Sequence, residues 1–356
     1  MSNYIEYGDR VAFHPGYYIK EIIDDSGLTQ ADFARRLGTT PKNISVLVRG
    51  EQALSVDIAN RLSRMLGTSI SYWMNLQQVY DELNAEFMRL KDLEMERDTF
   101  KLIDYKYFRD YLGFPDLARN VDKQIDMVRS FLSVASLTVL EEQDLAVDFR
   151  SYKEEQSRSN IVNSNVMLQI AINETLKSDI PRFDKKRFED CLDFVLSQTM
   201  NHKSFLSEIK EVFGEAGVNL VVLPNLKNSG INGATKRVNG RVMIFVNDRR
   251  HYEDTFWFTL FHEIGHVLNG NLGATSEKEA EADKFASRKL IPEKEYIDFI
   301  ATCDSYNEKN IKTFADSIDR DPGIVLGRLL IDKKVAYTNT SLCNRLRHTF
   351  EFIVSQ

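Results

Sequence analysis

The chain has 356 residues, 43% of them hydrophobic, with a formal net charge of −7; this is enough for two to three cores, and the acidic balance excludes nonspecific nucleic-acid binding through bulk positive charge. Cys191, Cys303 and Cys343 are odd in number and far apart, so a disulfide framework is excluded and a reducing, cytoplasmic compartment is expected. No stretch reaches the roughly 18 uninterrupted apolar residues of a membrane span, and Met1 to Lys20 lacks a signal-peptide core.

In chain order, the first informative elements are two short helices. Leu28 to Gly38 reads as an amphipathic helix capped by Thr29 and ended by Gly38. Thr39 and Thr40 then precede Pro41, an N-cap followed by proline at the first helical position, and a second helix is expected to run to about Val48 before Arg49 and Gly50. Two short helices around a glycine turn make a helix-turn-helix. The second helix would present Lys42, Asn43 and Ser45 to base edges, with Gln30, Arg35, Arg36 and Arg49 close enough to contact DNA. From Met1 to Tyr80, Lys and Arg number 8 and Asp and Glu number 8. A neutral domain leaves three readings: specific binding by a dimer with a localised basic face, a motif kept for protein contacts, or a small helical bundle with no nucleic-acid role.

Residues 81 to about 200 are charged and helical in period, with apolar spacing at Phe87, Leu90, Leu93 and Phe100 and again at Val128, Phe131, Leu132, Val134 and Leu137. They carry no catalytic constellation and are expected to form a helical linker or interaction region. Beyond them, Val218 to Leu223 and Val242 to Val246 are β-branched runs flanked by Asn and Gly, which predict a small sheet. A strand around Ile231 to Val238 is either an ordinary edge or an edge that receives a peptide as an extra strand.

His262-Glu263-Ile264-Gly265-His266 follows a breaker-free aromatic run, Thr255 to Phe261, on a helix expected to continue to about Leu268 before Asn269-Gly270-Asn271 ends it. Histidines four residues apart lie on one helical face, a two-ligand metal site, and Glu263 stands beside them to take a proton from water. A third ligand is needed, and Ser276 to Leu290 reads as a second helix stopped by Ile291-Pro292. Glu279, Ala282, Asp283, Ala286 and Leu290 form one stripe, while Glu277, Glu281, Lys284 and Arg288 form a charged, solvated one. Helix phase therefore favours Glu279 over Glu281 as third ligand, and Asp283 as the acceptor that orients a ligand histidine. His251 and Tyr252 are either side-chain donors to the reaction or helix-entry residues. Phe314 to Ile318 and Pro322 to Leu330 form a last helix, turn and helix pattern, expected to be a packing subdomain.

Two resemblances follow from these motifs. The HExxH segment, its aromatic lead-in and Glu279-Ala280-Glu281-Ala282-Asp283-Lys284-Phe285-Ala286, with Gly230 to Thr235 and Arg241 to Asn247 upstream, resemble the ImmA/IrrE family of zinc metallopeptidases over roughly residues 200 to 335. His14-Pro15-Gly16, the helix-turn-helix, Ile44 to Gly50, Leu66-Gly67-Thr68-Ser69 and Tyr72 to Gln77 resemble the HigA-type branch of the XRE regulators over about residues 10 to 82. The first implies a Zn2+ cofactor and a repressor-like or antitoxin-like protein substrate. The second implies operator DNA, a homodimer and, for some relatives, a toxin partner.

The expected fold is mainly α with a small β-sheet: a helix-turn-helix bundle over 1–80, a helical middle region over 81–200, an HExxH zincin-like peptidase domain over 201–300 and a helical subdomain over 301–356. The expected activity is zinc-dependent peptide hydrolysis, with His262, His266 and Glu279 as ligands and Glu263 as base. Two rivals stand beside it: an antitoxin or repressor whose HExxH domain is a sensor or inactive, and a protease toxin restrained by its own helix-turn-helix or by a partner.

Overall fold

A computed structural model describes residues 3–7, 9–142, 157–270 and 276–349; the expectations for Asn271 and for residues 350–356 lie outside them. The chain divides into two compact units, Met1–Met95 and Glu96–Gln356. Each is helical with one small sheet, the mainly α class expected. No helix of the described residues is long and apolar enough to cross a membrane.

The first unit opens with an antiparallel hairpin, β1 (Tyr4–Tyr7) and β2 (Arg10–Phe13), which sequence period had not indicated. Four helices follow: α1 (Pro15–Ser26), α2 (Gln30–Leu37), α3 (Pro41–Val48) and α4 (Val56–Leu66). Each has a side-chain N-cap, from His14, Thr29, Thr40 and Ser55 in turn. The His14 ring accepts from the Gly16 N–H at 3.0 Å, so this buried histidine starts a helix. Gly38, at φ 75°, ends α2 in the left-handed region that glycine adopts freely. Ile19, Phe33, Ala34, Ile44, Leu47, Leu62 and Trp73 make the core between these helices. The next helix, α5 (Ile70–Phe100), contributes its residues up to Met95 to this unit.

In the second unit, α6 (Tyr105–Leu112), α7 (Val121–Leu132) and α8 (Arg158–Lys177) precede three short helices, α9 (Lys185–Asp190), α10 (Leu192–Ser197) and α11 (Phe205–Glu215). The sheet joins β3 (Val218–Leu223), β4 (Gly233–Val238) and β5 (Arg241–Asn247) in the order β3-β5-β4, with β5 parallel to β3 and antiparallel to β4. Then come α12 (Glu253–Asn269), α13 (Ser276–Leu290), α14 (Glu293–Thr302), α15 (Glu308–Ser317), α16 (Pro322–Ile331) and α17 (Thr340–Leu346).

The central strand β5 is buried on both faces. Val242, Ile244 and Val246 join the core that holds Trp257, Leu260 and Ile264 of α12. Met243 and Phe245, which point the other way along a pleated strand, are also fully buried, and α8 packs against all three strands. Residues 81–200 are thus divided between the units, and α8 is part of the sheet's packing. Its sequence hides this because Val162 to Leu168 is buried without interruption, leaving no amphipathic stripe. On the other side, α16 packs on α12 and adds Ile324, Val325, Leu326 and Leu329 to the same core.

One buried ion pair ties the end of the described chain to this helix. Arg347 donates two hydrogen bonds to the Asp254 carboxylate, both at 2.9 Å, and both side chains are almost wholly buried. Removing the cation leaves a buried carboxylate without its counter-charge, so Arg347→Ala is expected to destabilise the unit by about 3–5 kcal/mol, read from urea unfolding; a loss below about 1 kcal/mol would contradict this role.

Candidate metal centre

Three ligand-type atoms converge in a pocket of about 260 Å³ between α12, α13 and the start of β4. His262 and His266 stand one turn apart on α12, and their Nε2 atoms are 3.0 Å apart. Glu279, in the first turn of α13, brings one carboxylate oxygen to 3.2 Å from the His262 Nε2 and the other to 3.4 Å from the His266 Nε2. Small residues permit the approach of the two helices: a Cβ on Gly265 would meet the Ala282 Cα at 3.3 Å and the Phe285 ring at 3.2 Å. Ala282, Ala286 and Leu290 are buried along the face of α13 that carries Glu279, whereas Glu281 is exposed. Arg288, on the charged stripe, pairs with Glu293 of α14.

Asp283, one turn beyond Glu279, lies 2.8 Å from the His262 Nδ1. A carboxylate there can accept the Nδ1 proton, so that a His262 made neutral by a bound cation would turn its Nε2 lone pair toward His266 and Glu279. Burial disfavours the charged imidazolium of His262, but the hydrogen bonds to Asp283 and Glu279 outweigh it and hold its pKa up at about 10. The same two histidines draw the Glu279 carboxyl down to about 2. Lone pairs of two imidazoles directed at a carboxylate repel unless positive charge lies among them, so this donor set fits a divalent cation.

Glu263 lines the same pocket and is 4% exposed. Burial pushes its carboxyl up, against the pull of the two histidines and of the Thr235 hydroxyl, which donates to its Oε2 at 2.7 Å. Thr235 sits on β4, an edge strand of the sheet, and it had no signal as a site residue because its partner lies far along the chain. Gly233 is a second such residue. A Cβ there would fall 2.7 Å from the Glu263 Oε1 and 2.7 Å from the Thr259 Cγ2, so only glycine lets this strand pass so close to the carboxylate.

Next to this pocket is a larger cavity of about 450 Å³, which shares Asn232, Phe258 and Thr259 with it. Leu290, Ile291, Ile324 and Leu330 supply its apolar wall. Tyr252 lines this cavity with its ring 3.7 Å from the Arg347 guanidinium, and His251 is exposed at φ 54°; neither is among the residues lining the metal pocket.

In the first unit, Gln30, Arg35, Arg36, Lys42 and Arg49 are exposed, and Asn43 and Ser45 are half-buried. Lys42, Ser45 and Arg49 are spaced along one face of α3 and its cap. Arg49 donates to the Ser45 hydroxyl and pairs with Glu51 at 2.9 Å, while Arg35 pairs with Asp32 at 3.2 Å. Asn43 donates to the Thr39 hydroxyl at 2.9 Å and accepts from Gln52 at 3.1 Å. Gln52 is therefore a member of this polar surface that spacing alone did not single out.

Fold and site together define a helix-turn-helix domain joined to a peptidase-type domain with a metal-ligand cluster. The family described as "Helix-turn-helix" matches residues 19–73, and the "IrrE N-terminal-like domain" of the M78 peptidases matches residues 216–316. The HTH-type transcriptional regulator YddM of Escherichia coli (strain K12) is 35% identical over 72 residues, 20% of this chain and 77% of that protein. A Pseudomonas aeruginosa protein solved with its 18 bp operator DNA is 33% identical, covering 25% of this chain and 94% of that one at a TM-score of 0.22. An addiction module antidote protein of the HigA family from Coxiella burnetii is 26% identical, covering 23% and 91%, also at a TM-score of 0.22. The chain belongs to the helix-turn-helix regulators through its first domain and carries an IrrE-type M78 peptidase domain in its second.

Thr235→Val tests the setting of Glu263. A carboxyl whose folded pKa lies above its unfolded value binds more protons when folded, so its penalty grows as pH rises from the unfolded pKa through the folded one. Loss of the Thr235 hydrogen bond raises the folded pKa further. The destabilisation measured by urea unfolding of metal-free protein is expected to be larger at about pH 8 than at about pH 4; a pH-independent difference would remove Thr235 from this role.

Proposed function

We propose that this protein is a DNA-binding regulator with a zinc-dependent metallopeptidase domain that cleaves a repressor-type or antitoxin-type protein. The observation that carries the reading is the convergence of the His262, His266 and Glu279 ligand atoms beside a buried Glu263 that is fixed by Thr235. His262, His266 and Glu279 would hold Zn2+, and Asp283 would fix the His262 tautomer. When bound, the ion would supply Lewis acidity, polarising water and the scissile carbonyl. Glu263 takes a proton from the water and delivers it to the leaving amine. An extended substrate would pair with the edge of β4 that no other described strand occupies, and the cavity that shares Asn232, Phe258 and Thr259 with the histidine pocket would receive one of its side chains.

The first domain supports operator recognition by a homodimer, with Lys42, Asn43, Ser45, Gln30, Arg35, Arg36 and Arg49 as the contacting set. Its equal numbers of acidic and basic residues favour sequence-specific contacts over general affinity for DNA.

The cleavage reading is tested by measuring bound zinc and then comparing the wild type with Glu263→Gln on purified candidate regulators. The expected result is cleavage by the wild type, a loss of about 10²–10⁴-fold in Glu263→Gln, and zinc retained by both. Zinc held by both with cleavage by neither would overturn it in favour of a regulator with an inactive peptidase domain. For DNA, Arg36→Ala and Lys42→Ala are each expected to weaken operator binding and to reduce the slope of log affinity against log salt by about 1. An unchanged slope in both variants, measured by fluorescence anisotropy, would take these residues off the DNA surface.

A further inference from the structure

We propose that His202, His348 and Asp321 form a second divalent-cation site, distinct from the one on α12 and α13, which clamps the end of the described chain to the peptidase unit. His202 lies in the turn before α11, Asp321 is the N-cap of α16, and His348 follows α17. Their ligand atoms all lie within 4.8 Å of one another. The Nε2 of His202 is 3.5 Å, and the Nε2 of His348 3.6 Å, from the same oxygen, Oδ2 of Asp321. These separations are long for N–H···O hydrogen bonds, whose range ends at about 3.2 Å. They are near the edge of a tetrahedron drawn around a zinc-like ion, about 3.3 Å for bonds of about 2.0–2.1 Å.

Three further observations support a cation here. The other oxygen of Asp321 is already used, accepting from the Gly323 N–H at 2.7 Å, so Oδ2 is the one left for the histidines. Asp321 is 3% exposed, and a carboxylate so buried requires positive charge or hydrogen bonds close to it. The Nδ1 of His202 lies 2.6 Å from the Oε2 of the buried Glu253, a carboxylate placed to accept the ring proton and so direct the Nε2 lone pair toward Asp321 when an ion is held there. This is the arrangement of His262 with Asp283, built a second time from other elements.

Proton-based pairing is the simpler rival, and ring stacking limits it to one protonated ring. The His202 and His348 rings are stacked with centroids 3.8 Å apart and 30° between planes. Two imidazolium ions in that position repel, and ligation of one tetrahedral ion by both rings would part their centroids to about 5 Å. Backbone contacts fix the position of His348, whose carbonyl accepts from the Glu253 N–H at 3.0 Å. Both rings keep an exposed side, which leaves room for water as a fourth ligand. Nitrogen and oxygen donors in this number select a borderline transition-metal dication of the zinc type over Mg2+ or Ca2+.

Metal stoichiometry tests this on the full chain, stripped with chelator, loaded with ZnCl2, desalted and analysed by plasma mass spectrometry. Two zinc ions per wild-type chain are expected, one in His348→Gln, one in the double variant His262→Gln/His266→Gln, and none in the triple variant. His202→Gln serves as a second lesion of the same site, and circular dichroism checks that each variant is folded. Glu253→Gln is expected to keep the stoichiometry and lose about 10–100-fold in affinity at this site. A zinc content unchanged by both His348→Gln and His202→Gln, or a double variant of the first site that binds no zinc, would overturn the proposal. Failure of the first site gives a different result, because the double variant would then match the wild type.

Discussion

Two imidazole nitrogens and two carboxylate oxygens cannot lie 3.0–3.4 Å apart, out of bulk water, unless positive charge is shared among them. Much of the second unit can be understood as the means of imposing that arrangement. The central strand β5, buried from Val242 to Asn247, packs on α12, and Gly265 and Ala282 bring α13 near enough for Glu279 to reach across. Asp283 assigns the proton of His262 to its far nitrogen. Gly233 and Thr235 then bring β4 against Glu263, so a carboxylate that would be costly in a dry site has a hydrogen bond and two cationic-capable neighbours. The cost of assembling unlike charges in a poorly solvated pocket is offset by packing that begins far from it.

How much of this was legible in the sequence depends on the range of each interaction. The spacing of His262 and His266 is local, and the buried positions of α13 repeat with helical period, so the choice of Glu279 over Glu281 could be argued from phase alone; the structure brings Glu279, not Glu281, to the histidines. The helix-turn-helix was legible for the same reason, since Thr29, Gly38 and Thr40 act on residues within four positions of themselves. Thr235 and Gly233 could not be read in this way. Their meaning comes from strand order and from where an edge strand passes a helix, and neither leaves a periodic trace.

Burial on every side is the other condition that defeats pattern. A one-faced helix announces its partner, but Val162 to Leu168 of α8 mixes Asn and Ser with Val and Met, and all seven are buried. The polar members have tertiary partners: Asn163 donates to the Leu102 carbonyl, Asn165 to the Leu140 carbonyl, and Ser164 accepts from the Gly230 N–H. Polarity in such a helix reads as solvent exposure, when here it is the means by which buried backbone groups of neighbouring segments are satisfied. The contact at Gly230 is of interest because Gly230 also lines the pocket of His262, His266 and Glu279, so α8 helps to set the loop that leads into β4.

The first turn of α12 links these features. Glu253 and Asp254 are consecutive, both buried, and both placed where the positive end of a helix dipole favours acids. That effect is worth at most about 2 kcal/mol per group, which is less than the cost of burying two adjacent carboxylates. Each therefore has a cation or donor of its own, Arg347 on Asp254 and His202 on Glu253. Both of these partners lie beside His348, whose backbone and ring close the same corner. His262 lies nine positions after Glu253, about 13.5 Å along the helix. The end of the described chain is placed to hold α12 by its charged end, without entering the pocket where Glu263 lies.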